Sequence, residues 1–224
     1  MNTTSAAVRG TVLMDLDGTI SDSSAGVFAS FRHALAELGR PWPDDRPLDW
    51  IIGPPLRDSF QAVLGDERGA ARALEHYRSH YSAGALFDNT LYPGMPEAIA
   101  AIAAEGFRLY VATSKLTAFA ERIVAKFGLA DRFAGVYGSS EDGRLETKSA
   151  VVADCLAREP IARASCVMVG DRKHDAIGAD ANGLPCIGVT WGYGSADELR
   201  AAGAVLLCAT PAALPAAVGQ VVGR

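Results

Sequence analysis

From Arg108 onward the chain alternates short apolar runs with amphipathic helical stretches, and few folds accommodate that alternation. The runs are Leu109–Ala112, Phe133–Tyr137, Cys166–Val169, Ile187–Val189 and Ala204–Leu207. The stretches between and after them are Leu116–Phe127, Ser149–Arg158, His174–Asn182, Ala196–Ala202 and Ala212–Val221. An earlier run, Thr11–Leu16, has the same character. Short continuous apolar runs read as strands buried on both faces, and strand–helix alternation reads as right-handed βαβ crossovers. The expected fold is therefore α/β: a Rossmann-like, doubly wound parallel sheet covered by helices.

The alternation stops between Thr19 and Asn89. Only helical patterns appear there, over Ser24–Leu38, Leu56–Leu64 and Arg68–Tyr81, with the Pro-rich stretch Pro41–Pro55 among them. An insert of about seventy residues is too long for a loop and should form a small all-helical domain. The expected division is residues 1–19 and 90–224 as the α/β domain and 20–89 as the helical one. Tyr92-Pro93-Gly94 marks the return.

Composition narrows the functional classes. With 49% apolar and 21% charged residues, the chain is an ordinary globular protein. Its net charge of −5 offers no electrostatic footprint for nucleic acid or an anionic membrane. Met1–Gly10 lacks the apolar segment of a signal peptide, and Ala201–Val218 is broken by Pro211 and Pro215, so no membrane span is expected. Cys155, Cys166, Cys186 and Cys208 form no CxxC pair, which points to reduced thiols and a cytoplasmic location.

Ligands of open α/β sheets bind at the carboxyl ends of the strands. Asp15 and Asp17 follow the first run, and Thr113-Ser114 the second. Lys148 opens a helix after the third; Gly170-Asp171 ends the fourth, with Asp175 one turn later. Each has an ordinary structural explanation taken alone: an Asp-Gly turn, a helix cap, a solvated acid or lysine. Their joint arrival at one sheet edge is what argues for a site.

With these residues in view, the chain resembles the haloacid dehalogenase superfamily of phosphotransferases over nearly its whole length. The DxDGT motif stands as Asp15-Leu16-Asp17-Gly18-Thr19, the strand-end hydroxyl as Thr113, the lysine as Lys148, and GDxxxD as Gly170–Asp175. The helical insert resembles that family's C1-type cap. Within the family the chain is similar to the phosphoglycolate phosphatase-like and 5′-nucleotidase-like branch. The similarity rests on Ile52–Leu56, Tyr92-Pro93-Gly94, Tyr137–Ser140 and Gly170–Asp175.

The resemblance implies a Mg²⁺-dependent phosphomonoester hydrolase acting on a small phosphorylated metabolite. Asp15 would be the nucleophile that becomes an aspartyl-phosphate, and Asp17 the general acid and base. Mg²⁺ would take ligands from Asp15, the Asp17 backbone carbonyl and Asp171, while Thr113, Ser114 and Lys148 bind the phosphoryl oxygens and Asp175 supports the site. A 5′-nucleotidase is the alternative, followed by a sugar-phosphate mutase and a non-catalytic phosphate-binding regulator. Dehalogenation is disfavoured by Asp17, and Schiff-base chemistry by the absence of an insert lysine: Lys115, Lys126, Lys148 and Lys173 all lie outside residues 20–89. A receiver domain is excluded by length. For the leaving group the insert offers Arg57, Arg32 and His33, with Phe28 and Trp50 as apolar candidates. Arg57 is preferred because a guanidinium fork suits a carboxylate or second phosphate. A monomer or weak homodimer is expected.

Overall fold

The computed structural model describes residues 8–223. Its centre is β1 (Gly10–Met14), all five of whose residues are buried. It pairs in parallel with β4 (Phe107–Leu116) on one side and β6 (Cys166–Gly170) on the other. Beyond β4 lies β5 (Gly135–Ser139); beyond β6 lie β7 (Cys186–Val189) and β8 (Leu206–Cys208), all parallel. The spatial order β5-β4-β1-β6-β7-β8 reverses direction beside β1, which creates a topological switch point at the carboxyl ends of β1, β4 and β6.

Period-two alternation explains why helices cover both faces. Val12, Met14, Leu109, Val111, Val167 and Val169 join one cluster, together with Met95, Ile99 and Ile102 of α4 (Met95–Ala104), Ile123 and Val124 of α5 (Thr117–Lys126), and Leu214 and Val218 of α9 (Leu214–Val222). The alternate residues Leu13, Tyr110, Ala112 and Met168 face the other way. They pack on Val151, Val152 and Cys155 of α6 (Lys148–Arg158) and Ala176 and Ala179 of α7 (Lys173–Asp180). Each fully buried Leu or Val contributes about 1.5–3 kcal/mol, so a one-residue slip that inverted β1 would be prohibitive.

The helical insert leaves and rejoins the sheet through a small antiparallel ribbon, β2 (Ser21–Asp22) against β3 (Thr90–Leu91). Between them stand α1 (Ser24–Glu37), α2 (Leu56–Leu64) and α3 (Glu67–Ala83). Phe31 of α1 stacks on Phe60 of α2 at 4.4 Å, with the edges of Trp42 and Trp50 against it at 6.3 Å. Asp66 caps α3 by accepting from the Gly69 N–H at 2.6 Å, while α2 ends at the left-handed Gly65. Trp50 thus sets one edge against Phe31 within the insert but remains exposed, so it is not part of the insert's core.

Several sequence expectations shift. The third strand begins two residues later than the run Phe133–Tyr137, the last strand is Leu206–Cys208 rather than Ala204–Leu207, and the second continues four residues beyond Ala112. Helix α4 was not anticipated. The short α8 (Ala196–Ala201) follows the β7 loop as expected. All four cysteines are free and buried. Among the described residues no helix is long and apolar enough to cross a membrane.

Candidate active site

Asp15 is the first residue beyond β1, and the sheet register still holds its backbone: its N–H donates to the Val169 carbonyl at 2.9 Å. Its carboxylate accepts from the Leu16 N–H at 2.7 Å and from Lys148 Nζ at the same distance. Lys148 is the first residue of α6, whose start is fixed by the Thr147 hydroxyl accepting from the Ala150 N–H at 3.2 Å. Its ammonium donates to the Ala112 carbonyl at 3.0 Å and forms ion pairs with Asp15 Oδ1 and, at 2.8 Å, Asp175 Oδ1. With its side chain only 3% exposed, the lysine is fully committed to this cluster.

Asp175 sits in the first turn of α7, where its Oδ2 accepts from the Arg172 N–H at 3.0 Å. Asp171 follows β6 and is completely buried. It accepts from the Thr19 hydroxyl at 3.2 Å and the Tyr193 N–H at 2.8 Å. Gly18 (φ +81°) lies so close to the Asp171 carboxylate that any side chain there would collide with it.

Oxygens of Asp15, Asp171 and Asp175 all fall within 4.8 Å of one another. Three buried carboxylates therefore cluster around one ammonium that pairs with two of them, Asp15 and Asp175. Burial pushes the Asp15 carboxyl up to about 7, an effect Lys148 offsets only in part and Asp175 adds to. Burial likewise raises Asp171 well above the usual range, reinforced by Asp175 and Asp15. For Lys148, burial alone would lower the pKa, but the two carboxylates outweigh it and raise it. A hard, all-oxygen, doubly charged deficit of this kind fits a divalent cation such as Mg²⁺.

Asp17 lies apart from that cluster. Its Oδ2 pairs with Lys115 Nζ at 2.9 Å, and Lys115 also donates to the Tyr81 hydroxyl of α3 at 2.8 Å. Asp17 Oδ1 is buried and has no hydrogen-bond partner among the described residues. Asp15, Asp17, Thr113 and Ser114 line one cavity between sheet and insert, opposite Tyr77, Tyr81 and Arg57. Arg57 is 3.8 Å from Glu146 across the cavity mouth. Of the five insert candidates it alone lines the cavity. Arg32 pairs instead with Asp44 at 3.6 Å, and His33 stacks on His80 at 4.4 Å.

The structure thus gathers Asp15, Asp171, Asp175 and Lys148 into one cluster and places Asp17, Thr113, Ser114 and Arg57 around the adjoining cavity. Three contributors were not singled out from sequence. Lys115 follows Thr113-Ser114 in a strand that runs on to Leu116. Tyr193 reaches both Asp171 and, through its hydroxyl, Asp22 at 2.7 Å. Arg172 donates to the Ile52 carbonyl of the insert and pairs with Glu198 at 2.9 Å.

The family model described as haloacid dehalogenase-like hydrolase matches residues 12–189. A 5′-nucleotidase of Pseudomonas aeruginosa is 43% identical over 91% of this chain and 92% of its own length. The tyrosine-protein kinase PtkA of Mycobacterium tuberculosis is 41% identical over 83% of this chain but only 64% of its own length. A phosphoglycolate phosphatase of Yersinia pseudotuberculosis is 30% identical, covering 84% of this chain and 83% of that one. Among solved structures, a predicted phosphatase from Clostridium acetobutylicum superposes with a TM-score of 0.91 at 38% identity, over 94% of this chain and 98% of that one.

Proposed function

The chain belongs to the haloacid dehalogenase-like hydrolase family and is a phosphatase, and from that premise we propose that it hydrolyses small phosphate monoesters through an aspartyl-phosphate on Asp15. The observation that carries the reading is the Lys148 ammonium held between Asp15 and Asp175, with Asp15 itself lining the cavity that Asp17 also lines. Residues 20–89 act as the cap over this site.

Asp15, at the end of a rigid strand, attacks phosphorus, and the resulting acyl phosphate divides one difficult displacement into two easier ones. Asp17 protonates the departing oxygen and then takes a proton from the hydrolytic water. Lys148 neutralises charge spreading over the phosphoryl oxygens, and the Thr113 hydroxyl and Ser114 N–H donate to the same oxygens. Asp15, Asp171 and the Asp17 backbone carbonyl would hold Mg²⁺, which supplies Lewis-acid neutralisation of the phosphate's negative charge. Asp175 holds Lys148 in place.

Two leaving groups suit the cavity. Phosphoglycolate would set its carboxylate near Arg57. A nucleoside 5′-monophosphate is favoured by a different observation: Tyr77 and Tyr81, stacked at 5.3 Å, with Phe119 at 5.4 Å from Tyr81, form an aromatic wall suited to a base. The test is kcat/KM for phosphoglycolate, nucleoside monophosphates and p-nitrophenyl phosphate, with Mg²⁺ and with EDTA, for the wild type and Asp15→Asn. Mg²⁺-dependent hydrolysis that Asp15→Asn abolishes supports the reading. Turnover by Asp15→Asn near the wild-type rate defeats it.

A further inference from the structure

We propose that Lys115 is a positioning residue that ties the acid–base carboxylate Asp17 to the helical cap through Tyr81. The proposal rests on the phosphatase reading above and assigns a role to a lysine for which the sequence suggested none.

Lys115 belongs to β4, yet its ammonium is spent on two groups outside that strand. One is Asp17 Oδ2 at 2.9 Å; the other is the Tyr81 hydroxyl at 2.8 Å, with the same nitrogen 4.7 Å from the Tyr81 ring centre. The lysine side chain is 6% exposed and the Asp17 side chain 14%. An ammonium so enclosed needs its partners, because a buried cation without them is costly. Its place is therefore set jointly by the core carboxylate and the cap phenol.

Tyr81 is itself held firmly. It is buried in α3, stacked on Tyr77 with an interplanar angle of 15°, and met by the edge of Phe119 from α5. Its hydroxyl therefore reports where α3 stands relative to the sheet. Asp17 keeps one oxygen on Lys115, while its other oxygen has no hydrogen-bond partner among the described residues. That division suits a general acid: one oxygen fixes the side chain and the other serves the departing alkoxide. Lys115 transfers no proton. Asp17 gives its proton to the leaving oxygen as the P–O bond breaks, and Lys115 keeps all three of its own. When α3 is displaced, Lys115 loses Tyr81, and the orientation of Asp17 is no longer set by the cap.

The consequence is specific to the leaving group. An alkoxide needs a proton to depart, whereas p-nitrophenolate leaves readily without one, so a misplaced acid penalises the alkyl ester far more. The experiment measures kcat and KM for glycerol phosphate and p-nitrophenyl phosphate with the wild type, Lys115→Met and Tyr81→Phe, the last of which keeps the ring stack and removes only the hydroxyl. General acid catalysis is commonly worth about 10²–10⁴-fold, and loss of a positioning contact should forfeit part of that. The expected result is a rise of at least about tenfold in the aryl-to-alkyl kcat ratio for Lys115→Met and about threefold for Tyr81→Phe. A merely structural lysine would slow both esters alike, and an unchanged ratio in both variants overturns the proposal. So does an effect confined to the KM of glycerol phosphate, which would make Lys115 a leaving-group contact. If the wild type hydrolyses none of these esters, the phosphatase reading itself fails and this proposal falls with it.

Discussion

Replacing Lys148 by Met removes the one cation paired with the buried carboxylates Asp15 and Asp175 while keeping most of the side chain's volume. The structure sets the size of the effect. Lys148 Nζ stands 2.7 Å from Asp15 and 2.8 Å from Asp175, all three side chains being at most 6% exposed. Breaking a buried pair by deleting one partner costs about 3–5 kcal/mol, because the remaining charge is left uncompensated. The cost should depend on pH in a definite direction. Asp15 already titrates near 7 against an ordinary value of 3.8, so its folded pKa lies above its unfolded one. Such a group favours folding when protonated, and stability declines as pH rises between those values. Without Lys148 the folded pKa rises further and the window extends upward. Urea unfolding in EDTA should therefore show the full penalty at pH 8 and a smaller one at pH 6. On the catalytic side, loss of a charge-stabilising group of this kind typically costs about 10²–10³-fold in turnover, equally for alkyl and aryl esters, since both share one phosphoryl transition state. A stability loss under about 1 kcal/mol at pH 8, or one that grows toward pH 6, would refute the reasoning about the shared ammonium.

Three further outcomes are expected. In EDTA-treated protein, Mg²⁺ added at a hundredfold excess over its Kd should raise unfolding free energy by about 2.7 kcal/mol, and Asp171→Asn should abolish most of that gain; calorimetric scans with and without the ion check it. Arg57→Ala should raise KM for phosphoglycolate severalfold while sparing p-nitrophenyl phosphate, and should leave the melting temperature nearly unchanged, because its pair with Glu146 is 39% and 48% exposed. Phe31→Ala should destabilise the cap by about 3–5 kcal/mol through loss of the Phe60 stack and the cavity left behind, measured by chemical denaturation.

The sequence was informative where one local rule governs the outcome. Short apolar runs with β-branched Val, such as Val12–Met14 and Val167–Val169, read as doubly buried strands, and side chains at their ends then share one edge of the sheet. That is why the sequence alone places Asp15, Thr113 and Asp171 together. The Ala-rich α4 escaped because its weak apolar stripe is preceded by Tyr-Pro-Gly, although Pro96 just inside the helix was a usable start signal. The β2–β3 ribbon has two residues on each side, too few for any periodicity. Lys115, Arg172 and Tyr193 were hidden for another reason. Their partners Tyr81, Ile52 and Asp22 lie 34, 120 and 171 residues away, and nothing local in the sequence encodes those contacts. The strand-end chemistry was legible because it is local. The linkage between cap and core was not, because it exists only in the packed structure.

The central claim is that the phosphoryl group is carried covalently by Asp15, and the stereochemical course at phosphorus tests it most directly. The experiment transfers the phosphoryl group of an isotopically chiral phosphate ester to an acceptor alcohol and determines the configuration of the product. Two successive in-line displacements, first by Asp15 and then by the acceptor, predict overall retention. Inversion would mean a single direct displacement, and would contradict the account.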